Sequence, residues 1–148
     1  MNALDLLQQD HEKVKELFEK AEGADDQKEK ERIFEQINSE LETHAHIEES
    51  VFYPAMQEHE EFKAMVLESL EEHKQIKTLL KEIDNLRADS EKFEPKLKVL
   101  MENVEHHAEE EEEGKMFPKI REVCSQADLD KLGDELEAAK NNKQRKVS

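Results

Sequence analysis

Four consecutive stretches of this chain repeat apolar residues with the three- and four-residue steps of an α-helix, and each carries a histidine inside the apolar stripe. The first stripe, Leu4, Leu7, His11, Val14, Phe18 and Ala21, predicts a helix over 3–22 that stops at Gly23. The second, Ile33, Ile37, Leu41, His44, Glu48, Val51 and Ala55, predicts a helix over 28–57 that Pro54 bends or ends. The third, Phe62, Met65, Ser69, His73, Ile76, Leu80 and Ile83, predicts a helix over 60–87. The fourth, Phe93, Leu97, Leu100, Val104, His107 and Glu111, starts near 91 behind a cap at Asp89-Ser90 and is closed by Gly114 and Pro118. Four long helices with short links make an all-α, antiparallel up-and-down four-helix bundle over residues 1–120. Residues 121–148 are expected to add a short C-terminal helix over 126–140, with Leu129, Leu132, Leu136 and Ala139 at helical spacing, and a frayed basic tail from Lys140 to Lys146.

Composition narrows the function classes. A length of 148 residues fits a single core. Three glycines and three prolines leave little turn chemistry for an all-β fold. Lys plus Arg is 22 and Asp plus Glu is 39, and 22 − 39 = −17 is a charge that repels phosphate backbones and anionic lipid. Nucleic acid and membrane are therefore not expected as partners. No run of 18 apolar residues exists, and the start Met1-Asn2-Ala3-Leu4-Asp5 has no basic leader, so a soluble, unexported, cytoplasmic protein is expected. Cys124 is the single cysteine, which excludes an internal disulfide and a cysteine zinc knuckle.

Six ionisable residues stand where the helical period assigns burial: His11, His44, Glu48, His73, His107 and Glu111. An unpartnered buried carboxylate costs several kcal/mol, and no Lys or Arg stands at a matching stripe position, so a metal would supply the missing positive charge. His44 and Glu48 sit one helical turn apart on one face, and His107 and Glu111 repeat the spacing. Depth agrees: at about 1.5 Å per residue, His11 and His44 both lie roughly 18–24 Å from the first link, and His73 and His107 are similarly placed about the third. A stripe of two positions in seven would capture about two of the seven histidines by chance, whereas it captures four, one per helix. His46, His59 and His106 fall off the stripe and read as solvated, although His106 adjoins His107.

The chain also repeats itself. Asp10-His11-Glu12 is echoed by Glu72-His73-Lys74, and His44…Glu48…Phe52-Tyr53-Pro54 by His107…Glu111…Met116-Phe117-Pro118, so each half is a helical hairpin. The second copy holds one extra residue between its histidine and its proline. That residue permits Glu112 in place of Glu111 if the helix contains a π-bulge, while phase and spacing favour Glu111. Four imidazoles and two carboxylates without thiolate are too many donors for one closed tetrahedral zinc and suit two ions, a non-haem di-iron pair with di-manganese as the alternative. Ferritin-like bundles use Glu-x-x-His, and no histidine here has a glutamate three residues before it.

On Gln9-Asp10-His11-Glu12, on His44-Ala45-His46-Ile47-Glu48 through Tyr53-Pro54, on Glu72-His73-Lys74 and on His106-His107-Ala108-Glu109-Glu110-Glu111, residues 3–120 resemble the hemerythrin-like HHE cation-binding domain family. The resemblance implies two non-haem irons with His11, His44, His73 and His107 as terminal ligands. It further implies that Glu48 and Glu111 bridge the irons beside an oxo or hydroxo group. Respiratory members carry a fifth histidine four residues after the third-helix one, and that position here is Lys77. The leading expectation is an iron-binding protein, monomeric, that binds or senses O₂ or a related diatomic, or stores iron, with Leu7, Leu41, Ile76 and Val104 excluding water. The alternatives are a di-iron enzyme acting on peroxide, NO or ferrous iron, and a metal-independent acidic helical module that docks a partner.

Overall fold

The structure is a computed structural model that describes residues 1–147, with side chains described through Gln144. The side chains of Arg145 and Lys146, at the end of the expected basic tail, lie outside the described residues. Helix α1 (Ala3–Gly23) is capped by Asn2, whose side-chain oxygen accepts from the Asp5 N–H at 2.9 Å. Three residues connect it to α2 (Gln27–Ile47), which continues without a break into a π-helical turn (Glu48–Phe52) and then α3 (Tyr53–Gln57). A 3₁₀ turn (Glu60–Phe62) leads into α4 (Lys63–Asp84). The last rod of the bundle is α5 (Phe93–Glu105), a long π-helical stretch (His106–Met116) and α6 (Phe117–Val123). Helix α7 (Gln126–Val147) begins where the Ser125 Oγ accepts from the Asp128 N–H at 3.1 Å.

Two expectations need correction. Gly114 and Pro118 do not close the fourth rod; the helix runs through both to Val123. A proline ring crowds the carbonyl four residues back, and a wider turn relieves that crowding. A π turn precedes Pro54 and another precedes Pro118: the Tyr53 N–H donates to the Glu48 carbonyl and the Phe117 N–H to the Glu112 carbonyl, each five residues back. The terminal helix is also longer than expected, reaching Val147 with no break at residue 140.

Packing pairs α1 with α2 and α4 with α5, and α7 lies across α1 and α2. The apolar core falls into two clusters. One, toward the loop between α1 and α2, contains Val14, Phe18, Phe34, Ile37, Phe93 and Leu100. The other contains Leu4, Leu7, Phe52, Phe62, Phe117 and, from α7, Leu129, Leu132 and Leu136. Burying those three leucines contributes about 1.5–3 kcal/mol each. Gly133 lets α7 approach the chain start, since a Cβ there would collide with the Met1 carbonyl. Between the two clusters lies a layer of buried polar residues: Asp10, His44, Glu48, His73, His107 and Glu112. No described helix is long and apolar enough to cross a membrane.

Candidate metal centre

The polar layer is built from both hairpins at one level. Helix α1 brings Asp10 and His11, α2 brings His44, and the π turn after it brings Glu48 and Glu49. Helix α4 brings Glu72 and His73, and the second π stretch brings His107, Glu112 and Glu113. The imidazoles meet edge-on in two pairs of nearly equal geometry. His11 and His44 have ring centroids 4.9 Å apart at 69°, and His73 and His107 have theirs 4.7 Å apart at 70°. Their Nε2 atoms approach to 3.2 Å in the first pair and 3.1 Å in the second.

Each imidazole is oriented by a carboxylate on its other nitrogen. The His44 Nδ1–H donates to Asp10 at 3.0 Å and the His107 Nδ1–H to Glu72 at 2.7 Å. The His73 Nδ1–H donates to Glu49 at 2.7 Å and the His11 Nδ1–H to Glu113 at 2.6 Å. All four Nε2 atoms are thereby turned inward, the arrangement in which a carboxylate sets the tautomer and basicity of a metal-binding histidine. The pairing follows the internal repeat. The acid before the histidine of one helix holds the histidine of the next, and the acid after the central glutamate reaches across the bundle.

Of the residues expected from sequence, the structure brings together His11, His44, Glu48, His73 and His107. Glu111 does not join them. Its side chain, 12% exposed, turns away from the other five to lie 3.0 Å from the Lys115 Nζ, while Glu112 is fully buried at the centre. The physical reason is the π stretch, in which one turn takes about four and a half residues, so the residue one turn after His107 is five away rather than four. A signal for this stood in the sequence. Glu48 precedes Pro54 by six residues, and Glu112, not Glu111, precedes Pro118 by six. Sequence reasoning also missed Asp10, Glu49, Glu72, Glu113 and Tyr53, although Asp10-His11 against Glu72-His73 and Glu48-Glu49 against Glu112-Glu113 are matched pairs in the repeat.

Electrostatics within the layer are extreme. Burial opposes charge on His44, yet Glu48 and Asp10 outweigh it and hold the imidazole up at about 10. Burial likewise opposes charge on His11, His73 and His107, and facing carboxylates raise all three. Burial would push Glu48 up, but His44 and its other partners hold it well below the usual carboxylate range. Tyr53 is raised well above 10 by burial and by Glu112 and stays a neutral phenol. Its hydroxyl donates to Glu112 Oε2 at 2.6 Å and lies 3.3 Å from the Nε2 atoms of both His73 and His107. Lys77, at the position of the respiratory fifth histidine, points outward and pairs with Glu49 at 2.8 Å.

The residues fit a pair of metal ions. Ligand atoms of His11, His44, Glu48 and Glu112 gather within 4.8 Å of one another, and so do those of Glu48, His73 and His107, with Glu48 common to both groups. Two buried carboxylate oxygens at the shared face, Glu48 Oε2 and Glu112 Oε1, have no hydrogen-bond partner among the described residues. Glu112 Oε1 lies 3.1 Å from His11 Nε2 but without hydrogen-bond geometry. A buried carboxylate oxygen left bare is costly, and a cation between the two groups would satisfy both.

The model of the hemerythrin HHE cation-binding domain matches residues 2–120. The chain belongs to that family. Similarity to known hemerythrin-like proteins extends to structure. The crystal structure of an HHE cation-binding domain-containing protein from Mycobacterium kansasii superposes with a TM-score of 0.87 at 26% identity, covering 99% of this chain and 89% of that one. A hemerythrin-like protein of Schizosaccharomyces pombe is 32% identical over 111 residues, 74% of this chain and 55% of its own length. A protein of Nostoc sp. named as a DNA nickase is 29% identical over 147 residues, 99% of this chain but 41% of its own length. This hemerythrin-like chain thus spans between two fifths and just over half of those two relatives. Metal binding is the property the family and the His/Glu clusters support together, and the metal-independent module is set aside.

Proposed function

We propose that this hemerythrin-like domain holds two non-haem irons, on His11, His44, Glu48 and Glu112 and on Glu48, His73 and His107, and uses them to bind a small diatomic such as O₂. The observation that carries this reading is the pair of orphaned oxygens, Glu48 Oε2 and Glu112 Oε1, facing four imidazoles whose Nδ1 atoms are already held. Nitrogen and carboxylate donors without thiolate suit iron ahead of manganese and disfavour a closed zinc site. When bound, such a pair supplies redox-active centres that reach for O₂ and related molecules.

The chain's own residues shape the access. On the apolar side of the imidazoles lies a cavity of about 30 Å³ between Val14, Leu41, Ile76, Leu80 and Val104. That is room for one or two atoms the size of a water oxygen. Leu41, Ile76 and Val104, expected from sequence to exclude water, line it, whereas Leu7 lies in the opposite cluster. The Tyr53 hydroxyl favours turnover of peroxide as a second reading, because it holds a proton beside His73 and His107. Nucleic acid is not proposed as a partner, since the chain's net charge is −17.

Elemental analysis of protein purified without a metal-affinity tag, with optical spectra before and after air exposure, tests the reading. About two irons per chain and a charge-transfer band appearing in air are expected. Iron without any spectral change refutes O₂ binding, and no iron after reconstitution refutes the centre itself. Steady peroxide consumption that Tyr53→Phe abolishes would favour the second reading.

A further inference from the structure

Five histidines, not four, have a carboxylate on Nδ1. The fifth is His106, whose Nδ1–H donates to Glu110 at 2.7 Å. Its Nε2 is thereby aimed at two more carboxylates, Glu72 Oε2 at 3.4 Å and Glu111 Oε1 at 3.6 Å. Ligand atoms of Glu72, His106 and Glu111 all lie within 4.8 Å of one another. The π stretch explains why this trio exists. His106 and Glu111 are five residues apart, as His107 and Glu112 are, so the inward pair is shadowed by an outward pair one residue out of phase.

Two features of the trio point to a cation between its members. The first is distance. Both separations exceed the roughly 2.7–3.2 Å of a hydrogen bond. They match two ligands on one ion instead: with metal–ligand bonds of about 2.1 Å, separations of 3.4 and 3.6 Å correspond to angles of roughly 108° and 118°, near tetrahedral. The second is the internal repeat. Asp10 is the counterpart of Glu72. One of its oxygens accepts from His44 and the other is met by the Lys140 ammonium at 2.6 Å. Glu72 likewise gives one oxygen to His107, but among the described residues its other oxygen faces His106 and no ammonium. The place that an ammonium fills in the first half is a place for a cation in the second.

We propose that Glu72, His106 and Glu111 form a second, peripheral site for a borderline divalent cation such as Zn²⁺ or Fe²⁺. Half the His106 side chain is exposed, so ions reach this site directly from solvent, unlike the buried centre. Glu72 joins the two sites: an ion on its Oε2 draws charge from the carboxylate that orients His107. Lys115, which pairs with Glu111 at 3.0 Å and is largely exposed, competes with the ion and must swing aside.

The test is calorimetric titration of zinc chloride into iron-loaded protein, with iron content and the optical band measured before and after. Wild type is expected to take up one zinc per chain with iron unchanged. His106→Gln and Glu111→Gln should each weaken that uptake at least about tenfold. Lys115→Gln should tighten it, and His59→Gln, outside the cluster, should leave it unchanged. Cobalt(II) in place of zinc should give the intense visible bands of a four-coordinate ion. No zinc uptake, uptake that displaces iron, or uptake that His106→Gln leaves intact overturns the proposal. Because zinc binding is read separately from the iron band, failure here is distinguishable from failure of the inner centre.

Discussion

Loading the buried centre should expel at least two protons per chain at pH 6. The expectation follows from counting charges in the polar layer. Six carboxylates, Asp10, Glu48, Glu49, Glu72, Glu112 and Glu113, face four imidazoles and the two ammonium groups of Lys77 and Lys140. In the metal-free protein 4 + 2 positive charges against 6 negative ones balance only if every imidazole is protonated. The direction of each shift agrees, since His11, His73 and His107 are raised and His44 stands at about 10. At pH 6, below even the ordinary histidine value of about 6.5, every shift favours the charged form, and Nε2 atoms 3.1–3.2 Å apart let each pair of imidazoles hold one Nε2 proton between them, so at least one imidazole of each pair is charged. A metal needs the Nε2 lone pair, so each histidine it takes must lose a proton. Apparent affinity should therefore strengthen with pH by about 1.4 kcal/mol per unit for each proton released. Calorimetry of anaerobic ferrous loading in buffers of different ionisation enthalpy counts the protons directly. His44, held up at about 10, should still release its proton at pH 9. Fewer than one proton at pH 6 would refute the charge balance and with it the placing of the four imidazoles on metal.

Further outcomes are expected. Glu112→Gln should cut metal stoichiometry or weaken loading by about tenfold or more, while Glu111→Gln leaves the inner centre loaded; elemental analysis of both variants separates the structural assignment from the α-helical one. For metal-free protein the sign of the pH effect is definite. The four histidines are raised above their unfolded values, so their stabilisation is complete below about pH 6.5 and lost as pH rises through their folded values. Glu48, Glu112 and Asp10 are lowered, so theirs is present above about pH 4.5 and lost as pH falls. The melting temperature should therefore peak between those limits, and a flat profile from pH 5 to 10 would contradict this. Gly133→Ala should cost about 1–3 kcal/mol by driving α7 off the chain start, seen as a Tm lower by roughly 2–10 °C; an unchanged Tm would show that α7 docks less closely.

Much of the architecture is legible in the order of residues alone. The apolar stripes specify four rods because a helix must bury one face, and their short links leave only an antiparallel arrangement. The level of the polar layer is also a matter of counting, since rise per residue is constant and His11, His44, His73 and His107 all lie roughly 18–24 Å from their links. The repeat Asp10-His11 with Glu72-His73 even contains the orienting carboxylates, although nothing in it says that each serves the neighbouring helix rather than its own histidine.

What the tertiary structure decided is the local winding and everything that crosses between rods. Phase arguments assume 3.6 residues per turn, and from Glu48 to Phe52 and from His106 to Met116 the helices do not keep it. Whether a one-residue insertion is looped out or absorbed by widening the turn depends on what each choice buries. Here widening sends Glu112 inward to Tyr53 and the imidazoles and leaves Glu111 beside His106. Hydrogen bonds between rods, such as Glu49 to His73 or Lys140 to Asp10, join residues 24 and 130 positions apart. No periodicity within one helix encodes such pairs. They form because four stripes close on one another and each buried carboxylate must find the nearest donor.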